Sequence, residues 1–450
     1  MTEVSKRGTG GGALTAEEDM SGEPQGPFVP PAWEPVDPRG PKITRVRTIC
    51  TAPDGVRLVI VKVETSEYGL YGLGCATFTQ RPLAVVTAVE EYLKPLLSGR
   101  DVSDIEDIWQ AVQLSSYWRN GPVLNNALSG VDQALWDIKA KRAGLPLHDL
   151  LGGRCRAAAA AYVHANGRDA QEVGDAVERY MDQGFRHVRC QVEVPGYATY
   201  GVGKGDAKSR AASASYRLVL NQARWEPREY CALVPALFDQ LRNRFGERVE
   251  LLHDVHERVP PPMAIQLAKD LEPYRLFFLE DLFAPEDQEY LARVRLQCSV
   301  PLAIGELHAG PSEYMPVVVR RLTDFVRSHI STIGGLTPAR KLAVLAEFFG
   351  IRTAWHGPAD VSPVGHAANL HLDLCVPNFG VQEVYQFSDA MRETFPGCPE
   401  IKDGSIWPNG LPGLGVDIDE GRAARYPFPE HELNGSWPEI RRADGTIVRP

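Results

Sequence analysis

Three acids recur at one interval. Asp254, Glu280 and Glu306 each close a short apolar run (VELLHD, RLFFLE and VPLAIGE), and 26 residues separate each from the next. A strand, its loop, a helix and the return loop use about that many residues, so the acids predict the ends of three consecutive parallel strands. In a closed β/α barrel such ends face one mouth. Three carboxylates gathered there repel one another unless a cation lies between them. An all-oxygen set suits a hard divalent ion, Mg²⁺ first and Mn²⁺ second. The alternative is that the acids close these runs by chance or as helix N-caps. The shared period, the apolar runs and the residue type argue against it.

Other reactive side chains fall near the same strand ends. His256 follows Asp254 by two residues and is placed to act as a general acid, the alternative being a solvent-facing loop histidine. His356 closes IRTAWH, Asp360 lies four residues on, and Glu383 closes GVQE, where it can meet substrate hydroxyls. Arg189 lies in VRCQ, and Tyr200 follows it in ATYGVGKGD. A guanidinium beside a phenol favours the phenolate, which makes Tyr200 a candidate base; taken alone, YGVGKG also reads as a glycine turn. GVGKG lacks the spacing and the strand–helix setting of a phosphate loop.

Two kinds of pattern position these residues. Residues 1–40 are rich in Gly, Pro and acids and read as a disordered or extended tail. From 41 to 155, KITRVRTICTA, VRLVIVKVETSE and YGLYGLGCAT predict three antiparallel strands turning at Asp54-Gly55 and Tyr68-Gly69. Helical patterns follow, the last being NNALSGVDQALWDIKAKRAG, which stops at Gly144. This is an α+β capping domain. From 156 to 388, strand and helix patterns alternate through AAAAAYVHA, FRHVRCQVEV, the three acidic strands, DFVRSHISTIGG, IRTAWHG and GVQEVYQF, the plan of an α/β, modified TIM (β/α)-barrel. A long polar insertion from 195 to about 228 interrupts it. Residues 389–450 lack the barrel period and are expected to pack back on the capping domain.

Composition narrows the partners. The net charge of −10 offers no basic patch for nucleic acid or an anionic membrane. No apolar run reaches bilayer length, and no apolar stretch follows the N-terminal basic residues, so neither a membrane span nor a signal peptide is expected. Eight scattered cysteines without a CxxC pair fit reduced thiols in a cytoplasm.

With these residues in order, the chain resembles the enolase superfamily: three acids on consecutive strands behind a cap carrying VDQALWDIKAKRAG and LLGG. LLHDVHE, WHGPADVSPVGHAANLHLD and the VRCQ to YGVGKG stretch are similar to its mannonate dehydratase branch, which includes the starvation-sensing proteins. The resemblance spans about residues 42 to 450. It implies Mg²⁺ held by Asp254, Glu280 and Glu306, and a small sugar acid as substrate. It implies that Tyr200, assisted by Arg189, removes the proton beside the carboxylate, that His256 protonates the departing 3-hydroxyl, and that His356 binds or protonates the substrate. The product is a 2-keto-3-deoxy acid. Many superfamily members carry Lys-x-Lys on strand two; here that place reads Arg189-Cys190-Gln191. Even-numbered homo-oligomers are common in the superfamily.

Three departures stand out, the first two bearing on the substrate and the third only on packing. Arg57 stands where strict mannonate dehydratases carry a substrate-touching Asn, Pro358 follows WHG, and LEDL replaces LEDP at Leu282. Gluconate or another aldonate is thus as open as mannonate. An epimerase of the same superfamily, or a slow sugar-acid sensor, would use the same residues.

Overall fold

The computed structural model describes residues 40–194, 224–429 and 440–449. Strands β1 (Ile43–Thr51), β2 (Leu58–Thr65) and β3 (Tyr71–Cys75) pair antiparallel in that order. Gly55 and Gly69 hold positive φ in the two turns, where a side chain would be strained. The helix Pro122–Ala143 lies against this sheet, and Gly144 closes it in the left-handed conformation. The approach is close because β3 carries Gly72 and Gly74. A Cβ on either would lie 2.0 Å from a helix carbonyl oxygen, that of Ala134 or Gly130. One predicted helix is irregular: within 82–97, Ala88–Leu93 is π-helical. Pro95 has no N–H and its ring crowds the carbonyl a turn earlier, so α pairing cannot run through it.

From β4 (Ala159–Gly167) the chain alternates strand and helix. β5 (His187–Val192), β6 (Glu250–Asp254), β7 (Phe278–Glu280), β8 (Leu302–Ile304), β9 (Phe325–Val326) and β10 (Arg352–Thr353) follow in parallel, each beside the last. β11 (Gln382–Glu383) returns to pair with β4, Gln382 opposite Ala161, and a Thr353–Phe379 bridge joins β10 to its approach. Eight strands therefore close on themselves, giving the capping domain and (β/α) barrel of the sequence reading. The sixth and seventh strands are shorter than their sequence patterns, yet pairing resumes beyond them at a His329–His356 bridge.

The sequence pattern gives no strand beyond 390, but the structure has a hairpin there. β12 (Glu400–Lys402) pairs with β13 (Ser405–Trp407), and β13 runs antiparallel to β4, Ser405 opposite Ala160. The chain then reaches the cap sheet, where Glu420 meets Arg47 at 2.6 Å and Lys62 at 2.8 Å. Among the described residues no helix is long and apolar enough to cross a membrane.

A buried carboxylate joins cap to barrel. Asp132 of the helix Pro122–Ala143 accepts from the Thr337 backbone N–H at 2.9 Å and from Thr337 Oγ1 at 2.5 Å, at the start of the helix Leu336–Phe348. Burial outweighs these bonds and pushes the Asp132 carboxyl up to about 7. A folded-state value above the ~3.9 of an unfolded Asp means that the associated stability is complete below about pH 4 and is lost as pH rises through 7. Asp132→Asn, which cannot ionise, is expected to gain in melting temperature relative to wild type between pH 5 and pH 8. A constant difference across that range would show that Asp132 does not titrate there.

Candidate active site

One layer of the barrel interior is apolar and contains Tyr162, Leu252, Phe278, Ala303, Phe325, Ala354 and Val381, one from each of seven strands or their extensions. Side chains alternate along a strand, so the residue two further on returns to the interior, one step nearer the mouth. From these seven that step gives His164, Asp254, Glu280, Gly305, Arg327, His356 and Glu383. Six polar groups and one glycine thus form the next layer. At the fifth strand the acid lies one residue beyond Gly305, whose φ of 136° permits the extra turn and whose Cβ would crowd Ser328 Oγ at 3.0 Å.

Two arginines join these acids. Arg189 Nη1 lies 2.8 Å from Glu280 and 3.4 Å from Asp254, with Glu383 at 3.6 Å. Arg327, fully buried, meets Glu306 at 2.5 Å, Glu383 at 2.7 Å, Glu280 at 3.3 Å and Asp281 at 3.4 Å. Tyr162 donates its hydroxyl to Glu280 at 2.6 Å. His164 Nε2 stands 2.8 Å from Glu383, and Glu383 also accepts the Gly357 N–H at 2.9 Å. Five carboxylates thus share two guanidiniums. Burial raises Glu280 and Asp281, the neighbouring carboxylates raise them further, and both settle above the usual carboxylate range in spite of the arginines. Asp254 goes the other way: burial opposes its charge, but the positive charges of His256, Arg189 and Arg327 hold it low. An all-oxygen group with negative charge in excess, buried at Asp254 and Glu280 and partly exposed at Glu306, fits a hard divalent cation at these three acids.

The remaining predicted residues divide. His356 Nε2 lies 3.2 Å from Glu306, and burial lowers this histidine to about 4, so it is neutral near pH 7. Asp360 and His329 bring side-chain atoms within 4.8 Å of His356, and burial pushes Asp360 up to about 7. His256 lies on the loop after β6 at φ 53°. Arg57 is buried just before β2 and, among the described residues, makes no hydrogen bond or ion pair with the acids. Tyr200 lies outside the described residues. The sequence reading missed His164, Tyr162 and the linking role of Arg327. The alternation along YVHA and FVR held a signal for them, had each strand been counted back from its mouth.

The fold and this mouth define a class. Residues 172–422 match the Enolase C-terminal domain-like family, and residues 34–152 match the Mandelate racemase / muconate lactonizing enzyme, N-terminal domain family. The chain belongs to the enolase superfamily. It is 52% identical over 418 residues to the D-galactonate dehydratase family member RspA of Pantoea ananatis, across 91% of this chain and 99% of that protein. It is 49% identical over 439 residues to a D-galactonate dehydratase family member of Streptomyces sp. (strain SPB78), across 97% and 98%. Within the superfamily it therefore falls among the D-galactonate dehydratase family members. A crystal structure of an enolase from Pantoea ananatis with bound D-gluconate and Mg matches with a TM-score of 0.83 at 50% identity, covering 91% of this chain and all of that one.

Proposed function

We propose that this chain is a Mg²⁺-dependent sugar-acid dehydratase that forms a 2-keto-3-deoxy acid. The observation that carries the reading is the excess of buried negative charge where β6, β7 and β8 end. Asp254, Glu280 and Glu306 would hold the ion, which would supply positive charge as the substrate carboxylate gains a second negative charge on loss of its α-proton. The chain's own groups do the rest. Tyr200 takes the proton, its phenolate favoured by the Arg189 guanidinium. His256 gives a proton to the departing 3-hydroxyl. His356, neutral and seated against Glu306, binds the substrate, and Arg57, Asp360 and Glu383 contact it. Arg327 keeps the acids at fixed distances.

Relatives named for D-galactonate and a matching structure holding D-gluconate support an aldonate substrate. They do not favour mannonate over the others. A cap over 41–155, a barrel over 156–388, a closing segment over 389–450, an even-numbered homo-oligomer and a cytoplasmic location complete the reading.

The test is a screen of all hexonates and pentonates with Mg²⁺, read as 2-keto-3-deoxy acid. One strong product signal is expected. Silence across the set, with Mg²⁺ binding intact, would sink the dehydratase reading and leave a sensor. On the substrate that responds, Tyr200→Phe should bind normally and lose α-proton exchange by roughly 100- to 10,000-fold, the usual worth of a positioned base. Exchange at the wild-type rate in deuterium oxide would assign the base elsewhere.

A further inference from the structure

The proposed chemistry leaves the eight cysteines unused, and two of them meet where the cap joins the barrel. Cys155 lies between the helix Leu147–Leu150 and β4, and Cys375 ends the helix Pro363–Cys375. The Cys155 backbone N–H donates to the Leu374 carbonyl at 2.7 Å. Standard bond lengths carried across that hydrogen bond place the two Cα atoms within about 6.5 Å of each other. A disulfide spans roughly 4.4–6.8 Å between Cα atoms. The Cys155 side chain already faces its neighbour, since its thiol donates to the Cys375 carbonyl at 3.2 Å. Cys375 Sγ, in turn, donates to the Leu372 carbonyl at 3.3 Å, and one side-chain rotation frees it.

The setting is unequal and cationic. Cys155 is exposed, whereas Cys375 is partly buried. Arg154 and Arg156 flank Cys155 in the chain. The Arg156 guanidinium reaches the carbonyls of Asp373 and Pro377 and lies 4.8 Å over the Phe379 ring, which fixes its charge beside Cys375. An anionic reagent is drawn to such a corner.

We propose that Cys155 and Cys375 form a thiol–disulfide exchange site that takes an anionic small-molecule disulfide of the glutathione class and closes to an intrachain disulfide. The Cys155 thiolate attacks one sulfur of the reagent, and the other leaves as a thiolate that takes up a proton. Cys375 then loses its proton and attacks the Cys155 sulfur, and the second small thiol departs. The two protein thiols lose two electrons and the reagent gains them, so no other oxidant is needed. Burial pushes the Cys375 thiol up to about 12, which makes it the second thiol to react. The closed bond ties the entry of β4 to the exit of the last long barrel helix, a loop of about 220 residues that contains seven of the eight barrel strands.

The experiment treats the full chain with oxidised glutathione, blocks remaining thiols with an alkylating agent and maps peptides by mass. The expected result is the loss of two of eight free thiols and a Cys155–Cys375 linked peptide, both reversed by dithiothreitol. Cys375→Ser should instead retain one glutathione on Cys155, and Cys155→Ser should leave Cys375 unmodified. Eight free thiols, a lasting adduct on wild-type Cys155 without a crosslink, or a different linked pair would overturn the proposal. None of these readouts depends on sugar-acid turnover, so the site stands or falls apart from the dehydratase reading.

Discussion

Glu280→Gln is expected to fold, to bind Mg²⁺ at least tenfold more weakly and to turn over no aldonate. The substitution keeps the shape and removes one negative charge at the centre of the group. Glu280 accepts from Tyr162 at 2.6 Å and from Arg189 at 2.8 Å, with Arg327 at 3.3 Å. A glutamine can still accept the Tyr162 hydroxyl, so the strand end is kept. Its amide cannot act as a charged ligand, and its N–H groups face two guanidiniums that need acceptors. If Glu280 is one of the three acids that would hold Mg²⁺, its loss would weaken the positive charge available as the α-proton leaves, worth several kcal/mol and hence about a thousandfold or more in rate. Calorimetric Mg²⁺ titration beside an activity assay separates the two effects. Wild-type Mg²⁺ affinity in this variant would refute the metal assignment.

Arg327→Met should cost both activity and stability. The guanidinium is fully buried and lies within 3.4 Å of four carboxylates, two on β7 and β11 and two on the loops after β7 and β8. Methionine fills much of the volume and carries no charge. Removing one partner of a buried ionic group leaves the other charges uncompensated, at about 3–5 kcal/mol. The melting temperature should therefore fall, and turnover should fall with it by at least about a hundredfold as Glu306 and Glu383 lose their fixed spacing. The variant should also gain more thermal protection from added Mg²⁺ than wild type does, because a divalent ion can restore part of the missing charge. Equal protection in the two proteins would show that the arginine and the ion do not act on the same carboxylates.

These two residues also show what a sequence can and cannot display. Glu280 was legible because a carboxylate closing an apolar run is conspicuous, and its two companions repeat at the same interval. The cap strands were legible from their glycine turns and alternating patterns. Arg327 carries no such mark in DFVRSH. Its carboxylate partners come from 21 to 56 residues away in the chain, and ion pairing at that separation follows from barrel closure rather than from local pattern. His164 was hidden for the same reason: its partner Glu383 is on the eighth strand. The hairpin at β12 and β13 escaped because three-residue strands carry too little alternation to stand out. The reaction class depends on which groups converge, and one chain's residue types gave much of that. The sugar depends on hydroxyl-by-hydroxyl contacts that residue types alone do not rank.

That hairpin has a kinetic consequence. β13 pairs with β4, a strand made roughly 245 residues earlier, and such a distant contact is costly to form early because loop closure precedes any gain from it. During synthesis β4 therefore waits with one edge open on the side that β13 will cover. An open edge recruits other strands, so nascent or truncated chains are exposed to mispairing with copies of themselves. Chains cut before residue 400 should accumulate in aggregates even though every residue proposed for chemistry lies upstream of the cut.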